Sequence, residues 1–305
     1  MSHTYQPLES LRLAQYVEQI PCYICEEGNS FDAELCRYCF APMALAHQVN
    51  VQQIRPQMLG VLGPSGVGKT VYMGMLMDML SRRPQGVQLL TRGAFSLTLQ
   101  QNTMAALARC EFPAKTPSEP DRWNWLHCQI TMPKRSRPLE MILPDLAGDA
   151  LYEEVNHPYT YRGLRSFLEK ASAMALLVDA PELRKGSREQ DYYSMKLLHY
   201  LDELDRDSKA AWHHRPLAVV LTKSDECDLD TATAGQFVQE HAAGLAQLLR
   251  ERFRRHQFFA AGVAGACTTR YVKGQGYVQY PLRIEPRGIV EPFVWLMEQI
   301  PQGKR

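Results

Sequence analysis

The chain has 305 residues, 45% apolar and 22% charged, and 34 lysines and arginines against 33 acids leave a net charge of +1. That length holds one large domain or two smaller ones, with the composition of a soluble globular protein. Balanced charge excludes a whole-molecule attraction to nucleic acid or to an acidic membrane surface. The longest apolar runs, such as Ala171 to Val178, are too short to span a bilayer. Met1 to Ser10 lacks the basic and apolar regions of a secretory signal, so a cytoplasmic protein is expected.

Residues 8 to 20 read as a short amphipathic helix or an extended lead-in, and periodicity does not decide between them. Then Cys22, Cys25, Cys36 and Cys39 stand in the spacing C-x2-C-x10-C-x2-C. Four thiolates in two close pairs close a tetrahedron around Zn²⁺, and a site with four protein ligands has no open position for catalysis. Redox use of the paired thiols is the alternative. The other four cysteines are scattered, which fits a reducing compartment rather than a disulfide framework. A unit this small gains its folding energy from the metal, and it serves either to hold a partner or to dock on the main domain. Arg37 with Tyr23, Tyr38 and Phe40 forms no basic cluster, so protein contact ranks above nucleic acid. The expected organisation is an N-terminal zinc segment at 1–45, a linker at 46–56 and a nucleotide domain at 57–305.

Met58 to Leu62 is an apolar run that reads as a buried strand, and Val71 to Leu80 reads as a helix. Between them, Gly63-Pro64-Ser65-Gly66-Val67-Gly68-Lys69-Thr70 matches G-x-x-x-x-G-K-[ST] without a mismatch. Glycines let successive N–H groups turn inward on a phosphate, and the helix N-terminus adds partial positive charge. Gly63, Ser65, Gly66, Val67, Gly68 and Val71 are the expected wall of that site. Lys69 would reach the β- and γ-phosphates, and Thr70 would ligate Mg²⁺.

Val87 to Leu90 reads as a strand, Ser96 to Cys110 as a helix, and Glu111 to Pro117 as a loop. Arg122 to Thr131 and Leu139 to Leu143 read as paired strands, with Trp123 and Trp125 on one face as core. Directly after comes Pro144-Asp145-Leu146-Ala147-Gly148-Asp149. A strand-end carboxylate, Asp145, can hold Mg²⁺ through water, and Gly148 can offer its N–H to the γ-phosphate. Ala171 to Val178 is a further strand, Tyr192 to Leu204 a helix, and Leu217 to Leu221 a strand ending in Thr222-Lys223-Ser224-Asp225. That is the [NT]-K-x-D pattern. The Asp225 carboxylate would accept both guanine N–H groups, Lys223 would lie across the base, and adenine would leave Asp225 unpaired. Thr222 replaces the usual asparagine. Ala234 to His256 reads as one long helix and Phe258 to Val263 as the last strand, with Val263 in a Gly-Val-Ala-Gly run that can give N–H groups to the guanine carbonyl. Pro286-Arg287-Gly288 opens a final helix through Met297.

The three motifs in this order resemble a Ras-type, translation-factor-class GTPase over about Gln57 to Gln299. The excursion between Ser81 and Pro138, the Phe112-Pro113-Ala114-Lys115-Thr116 loop and the Glu285 to Pro292 stretch are similar to the double-GTPase domains of bacterial conflict and defence operons. The resemblance implies a three-layer α/β sandwich with a mostly parallel sheet, binding of GTP and GDP with Mg²⁺, and a protein effector reached through nucleotide-dependent loops or the zinc ribbon. It implies that Thr116 is the switch threonine on Mg²⁺ and the γ-phosphate, with Thr91 and Thr103 as competitors. Asp149 departs from the family, standing where a water-orienting glutamine is common. A γ-phosphate repels a carboxylate unless a cation offsets it, so slow, partner-stimulated turnover is expected, with Glu153 or Glu154 as substitutes. The competing readings are a non-hydrolysing, nucleotide-stabilised scaffold, and an ATPase or nucleotide kinase that Asp225 argues against.

Overall fold

The central strands carry apolar residues on both sides of their pleat, so helices must cover both faces of their sheet. The computed structural model describes residues 19–93, 95–133, 135–207, 214–274 and 276–301. But for Gln19 and Ile20, the lead-in expected over 8–20 lies outside the described residues. The chain begins with β1 (Gln19–Pro21), β2 (Gly28–Ser30) and α1 (Met43–Gln52), then β3 (Gln57–Leu62), α2 (Lys69–Ser81), β4 (Gln88–Thr91) and α3 (Phe95–Ala108). It continues through β5 (Asn124–Thr131), β6 (Leu139–Asp145), α4 (Gly148–Asn156), α5 (Arg162–Lys170), β7 (Ala173–Asp179), α6 (Ala180–Arg184) and α7 (Arg188–Asp207). Last come β8 (Leu217–Thr222), α8 (Ala234–His241), α9 (Ala243–Arg252), β9 (His256–Ala260), β10 (Gly262–Val272), β11 (Gly276–Arg287) and α10 (Val290–Gln299).

Seven strands form one sheet in the order β4-β5-β6-β3-β7-β8-β9. From β6 to β9 neighbours are parallel, and β4 and β5 add antiparallel pairs at one edge. The pleat sorts the core. Met58, Leu62, Met174, Leu176 and Val219 pack on one side with α1 and α4 to α9, while Leu59, Val61, Ala175, Leu177 and Val220 pack on the other with α2, α3 and α10. This is a three-layer α/β sandwich with a mostly parallel sheet. Among the described residues no helix is long and apolar enough to cross a membrane.

The cysteine unit is part of the first of these cores. Cys22, Ile24, Cys36, Cys39 and Met43 are buried in the same cluster as Trp123, Trp125 and Leu151. The segment read as a linker largely folds as α1, which buries Met43, Leu45 and Ala46 and ends at Gln53 in the left-handed region. Gln48 of α1 then reaches into the sheet, its Oε1 lying 2.6 Å from His127 Nδ1. His127 is fully buried beside Glu140, 3.2 Å away, and Glu140 also accepts from Arg92 at 3.0 Å and Gln129 at 2.9 Å. Burial pushes the Glu140 carboxyl up, but His127 and Arg92 outweigh it and hold the group below its ordinary range. A buried carboxylate needs such partners.

Three expectations change. The helix expected over 234–256 is two helices broken at Ala242, and the chain turns into β9 at His256. Leu245 N–H donates to Asp191 Oδ1 of α7 at 2.9 Å, so a side chain distant in sequence satisfies an orphan donor at the new helix start. The last strand of the sheet stops at Ala260, and the chain then enters the long antiparallel hairpin of β10 and β11. Because β11 runs to Arg287, the final helix starts at Val290 rather than at Pro286.

The docking of the cysteine unit on α5 is tight. A Cβ on Gly163 would stand 2.7 Å from Cys39 O and 3.0 Å from Cys39 Cβ. Lys170 pairs with Glu26 at 2.7 Å and Arg162 pairs with Glu27. Gly163→Ala must push the two apart, and urea unfolding should show a loss of about 1–3 kcal/mol. Ser166→Ala on the same helix should change stability by less than about 0.5 kcal/mol. Equal stability of the two variants would refute the close packing.

Candidate functional site

The loop between β3 and α2 turns through Gly66 (φ 80°) and Gly68 (φ 97°), backbone conformations that only glycine adopts without strain. The turn aims Lys69 back over the loop, where its Nζ donates to Gly63 O and Pro64 O, both at 2.9 Å. Lys69 is almost wholly buried. Burial pulls its ammonium down to about 8, against an upward pull from Asp145 and Asp149.

One residue further, Thr70 enters a cluster of oxygens. Its hydroxyl is 3.2 Å from each Asp145 carboxylate oxygen and 3.0 Å from the Thr116 hydroxyl, which itself donates to Asp145 Oδ2 at 2.9 Å. Asp145 ends β6 and is 1% exposed. Burial pushes its carboxyl up while Thr116, Lys69 and Thr70 pull it back. Three hard oxygen ligands on converging elements are the donor type that Mg²⁺ takes. Of the three candidate threonines, the structure brings only Thr116 here. Thr91 sits on edge strand β4 opposite Cys128, and Thr103 is buried on α3 against Gly74.

Gly148 closes the cluster from the far side. A Cβ there would stand 2.4 Å from Ser65 N, so the first turn of α4 lies directly on the phosphate loop. Asp149 beside it is exposed, with Oδ2 3.4 Å from Ser65 Oγ. Glu153 and Glu154 do not line the cleft. Glu154 is buried and accepts from Tyr159 N, Tyr161 N and Tyr200 Oη, and Glu153 accepts from Tyr161 Oη at 2.8 Å.

A cleft of about 250 Å³ runs from this cluster to the end of β8. Ser65 to Val71, Phe112 to Thr116 and Gly148 line one end, while Thr222, Lys223, Asp225 and Val263 line the other. Thr222 Oγ1 donates to Val178 O at 3.2 Å, which fixes the start of the turn to β7. Lys223 is left-handed (φ 55°), and its Nζ pairs with Asp179 Oδ2 at 2.5 Å. Asp225 is the exceptional group. Its Oδ1 is buried and has no hydrogen-bond partner among the described residues, and burial pushes the carboxyl above its ordinary range. An orphaned buried acceptor beside a cleft fits a ligand that brings donors.

Sequence reasoning missed Asp179, Cys267 and Gln279. Asp179 closes β7 and also caps α6 through Glu182 N–H at 3.1 Å, so a carboxylate after an apolar run was the available signal. Cys267 and Gln279 line the cleft from the unforeseen hairpin. Its signal was Thr-, Val- and Tyr-rich runs on either side of Gly274 and Gly276.

The cysteines form a second centre away from the cleft. Their four sulfurs lie within 4.8 Å of one another, with Cys22–Cys39 at 3.5 Å and Cys25–Cys36 at 3.6 Å. Zn–S bonds of about 2.3 Å in a tetrahedron place sulfurs roughly 3.8 Å apart, so the cluster fits Zn²⁺. Ile24 N–H donates to Cys22 Sγ at 3.4 Å and Tyr38 N–H to Cys36 Sγ at 3.5 Å, contacts that stabilise thiolate ligands.

Residues 57–269 match the model of a protein family described as Double-GTPase 2. Comparison with curated proteins gives no match. Solved structures give likenesses at low identity. The chain is similar to the Arl6 BBS3 small GTPase from Trypanosoma brucei bound to GppNp (14% identity, 80% of this chain and 97% of that one, TM-score 0.40). It is similar to the SRβ-GTP/SRX signal recognition particle receptor complex from Chaetomium thermophilum (16% identity, 80% and 97%, TM-score 0.38). It is also similar to the Ski7 GTPase-like domain of Saccharomyces cerevisiae bound to GTP (16% identity, 68% and 42%, TM-score 0.39).

The cysteine centre is directly testable. Metal analysis of the purified protein should find about one zinc per chain. Because the centre shares the main core, chelation or Cys36→Ser should lower the unfolding temperature of the whole domain in one transition. A separate early transition, or no shift, would contradict the shared core.

Proposed function

The chain belongs to the Double-GTPase 2 family, and from that premise we propose that it binds guanine nucleotide with Mg²⁺, hydrolyses GTP slowly and acts as a switch on a protein partner. One observation carries the base assignment: Asp225, whose Oδ1 has no hydrogen-bond partner among the described residues, lines the same cleft as the phosphate loop. Guanine's adjacent N1–H and N2–H₂ donors satisfy that carboxylate, and adenine does not. Lys223 flanks the base and Val263 N–H meets its carbonyl. At the other end the N–H groups of Ser65 to Val71 hold the phosphates, with Lys69 on the β- and γ-phosphates. Thr70, Thr116 and Asp145 would hold Mg²⁺, which would supply positive charge against the phosphates that the loop positions.

Switching follows from where Thr116 and Gly148 sit. Thr116 lies on a loop and Gly148 in the first turn of α4, both against the start of α2 and its phosphate loop, so a terminal phosphate that engages them orders these segments and its loss releases them. Slow turnover follows from Asp149, whose carboxylate lies 3.4 Å from Ser65 Oγ of the phosphate loop, and from Glu153 and Glu154, which are committed to tyrosines. The same residues favour the second reading, a scaffold that keeps its nucleotide. Prolonged incubation of the loaded protein separates the two, since a scaffold leaves GTP intact. A role in a bacterial defence system is the context we assign by family membership.

Two experiments test the assignment. Asp225→Asn should weaken GTP binding roughly 100-fold, the loss of a charged two-donor contact, and should favour xanthosine triphosphate over GTP. Unchanged preference would remove Asp225 as the base reader. The second is a pH series. Lys69 loses its proton as pH rises through about 8. Phosphate binds its charged form and raises the pKa again, so protons are taken up on binding above that pH. GDP affinity should therefore be level up to about pH 7.5 and then fall by up to about tenfold per unit. Affinity that rises with pH would show that Lys69 does not meet the phosphates.

A further inference from the structure

Resting on the nucleotide reading above, we propose that Lys115 is the chain's own cation for the terminal phosphate, placed to offset Asp149. Lys69 and Lys115 line the phosphate end of the cleft, with Asp145 and Asp149 against the lining residues Thr70 and Ser65. Lys69 is committed to Gly63 O and Pro64 O, and Asp145 to Thr70 and Thr116. Asp149 lies beside Ser65 and brings a negative charge to the mouth of the loop. That charge cancels one of the cations a triphosphate needs.

Lys115 restores the balance. It lines the cleft next to Thr116, and among the described residues its ammonium has no ion pair or hydrogen bond. Its backbone is not free to swing away. Phe112 packs on the core three residues before it, and Thr116 is tied to Asp145 at 2.9 Å one residue after it. A short loop held at both ends therefore keeps a second lysine in the same cleft as Lys69. Two like charges share a cleft at a cost unless an anion joins them. The phosphates are that anion. A lysine ammonium is a compact charge on a flexible stem, suited to following a phosphate that is present in one state and absent in the other. Lys115 thus distinguishes triphosphate from diphosphate, whereas Lys69 serves both.

Calorimetry on the full-length, zinc-loaded chain with Mg²⁺ tests this, using GppNp and GDP as probes. Lys115→Ala should weaken GppNp at least about tenfold while changing GDP less than about twofold, as expected for a lost charged contact. Lys115→Arg should keep the wild-type ratio, and adding Asp149→Asn to Lys115→Ala should recover part of the GppNp affinity. An unchanged ratio in Lys115→Ala, or an equal loss for both nucleotides, overturns the role of Lys115 and leaves the nucleotide site standing. Wild-type protein that binds neither nucleotide overturns the site itself and this inference with it.

Discussion

A carboxylate buried between two hydroxyls ties together the segments of the candidate site. Asp145 is 1% exposed, and Thr70 and Thr116 both donate to it. Those residues belong to the start of α2, a surface loop and the end of β6, three segments with little else in common. An unpaired charge at such depth is costly, so the threonines and Lys69 are a condition of its burial. The raised carboxyl of Asp145 and the lowered ammonium of Lys69 arise from the same burial. A divalent cation and a polyanion bound here, as proposed, would relieve both and stabilise the site.

The cysteine centre is built on a different principle but leads to the same place. Its sulfurs bring together two short pairs that have little core of their own, and its outer surface supplies apolar residues to the main core. Gly163 permits close approach on one side, and the Gln48–His127 contact fixes α1 to the sheet on the other. His127 and Glu140 sit on β5 and β6, the strand pair that carries Asp145. The cysteine centre therefore packs, through α1, against the strand pair that carries Asp145 rather than standing apart from the main domain.

The hairpin of β10 and β11 adds a wall to the cleft outside the seven-stranded sheet. It begins at Gly262, immediately after the chain passes the base end of the cleft, and returns at Arg287. Cys267 and Gln279 face the cleft from it, and Gln279 Nε2 donates to Glu226 Oε1 at 3.2 Å. Val263 and Ile284 also pack on the core, while among the described residues its strands hydrogen-bond as a ladder only with each other, and Tyr271 and Tyr277 are exposed at its far end.

What the sequence by itself determined is local. The loop Gly63 to Thr70, Asp145 with Gly148, Thr222 to Asp225 and the four cysteines each depend on a fixed spacing and a backbone turn. The strands Met58–Leu62 and Leu217–Leu221 declare themselves by burial on both faces. Tertiary structure alone decided which threonine joins Thr70, because that depends on where a long excursion returns. It decided that the helix after Ala234 breaks, because Asp191 waits on another helix to cap the second piece. It decided that the cysteine unit shares the main core and that Glu154 is spent on tyrosines. In each case the deciding partner is far away in the chain, and burial gives a contact its weight only once folding has brought that partner near.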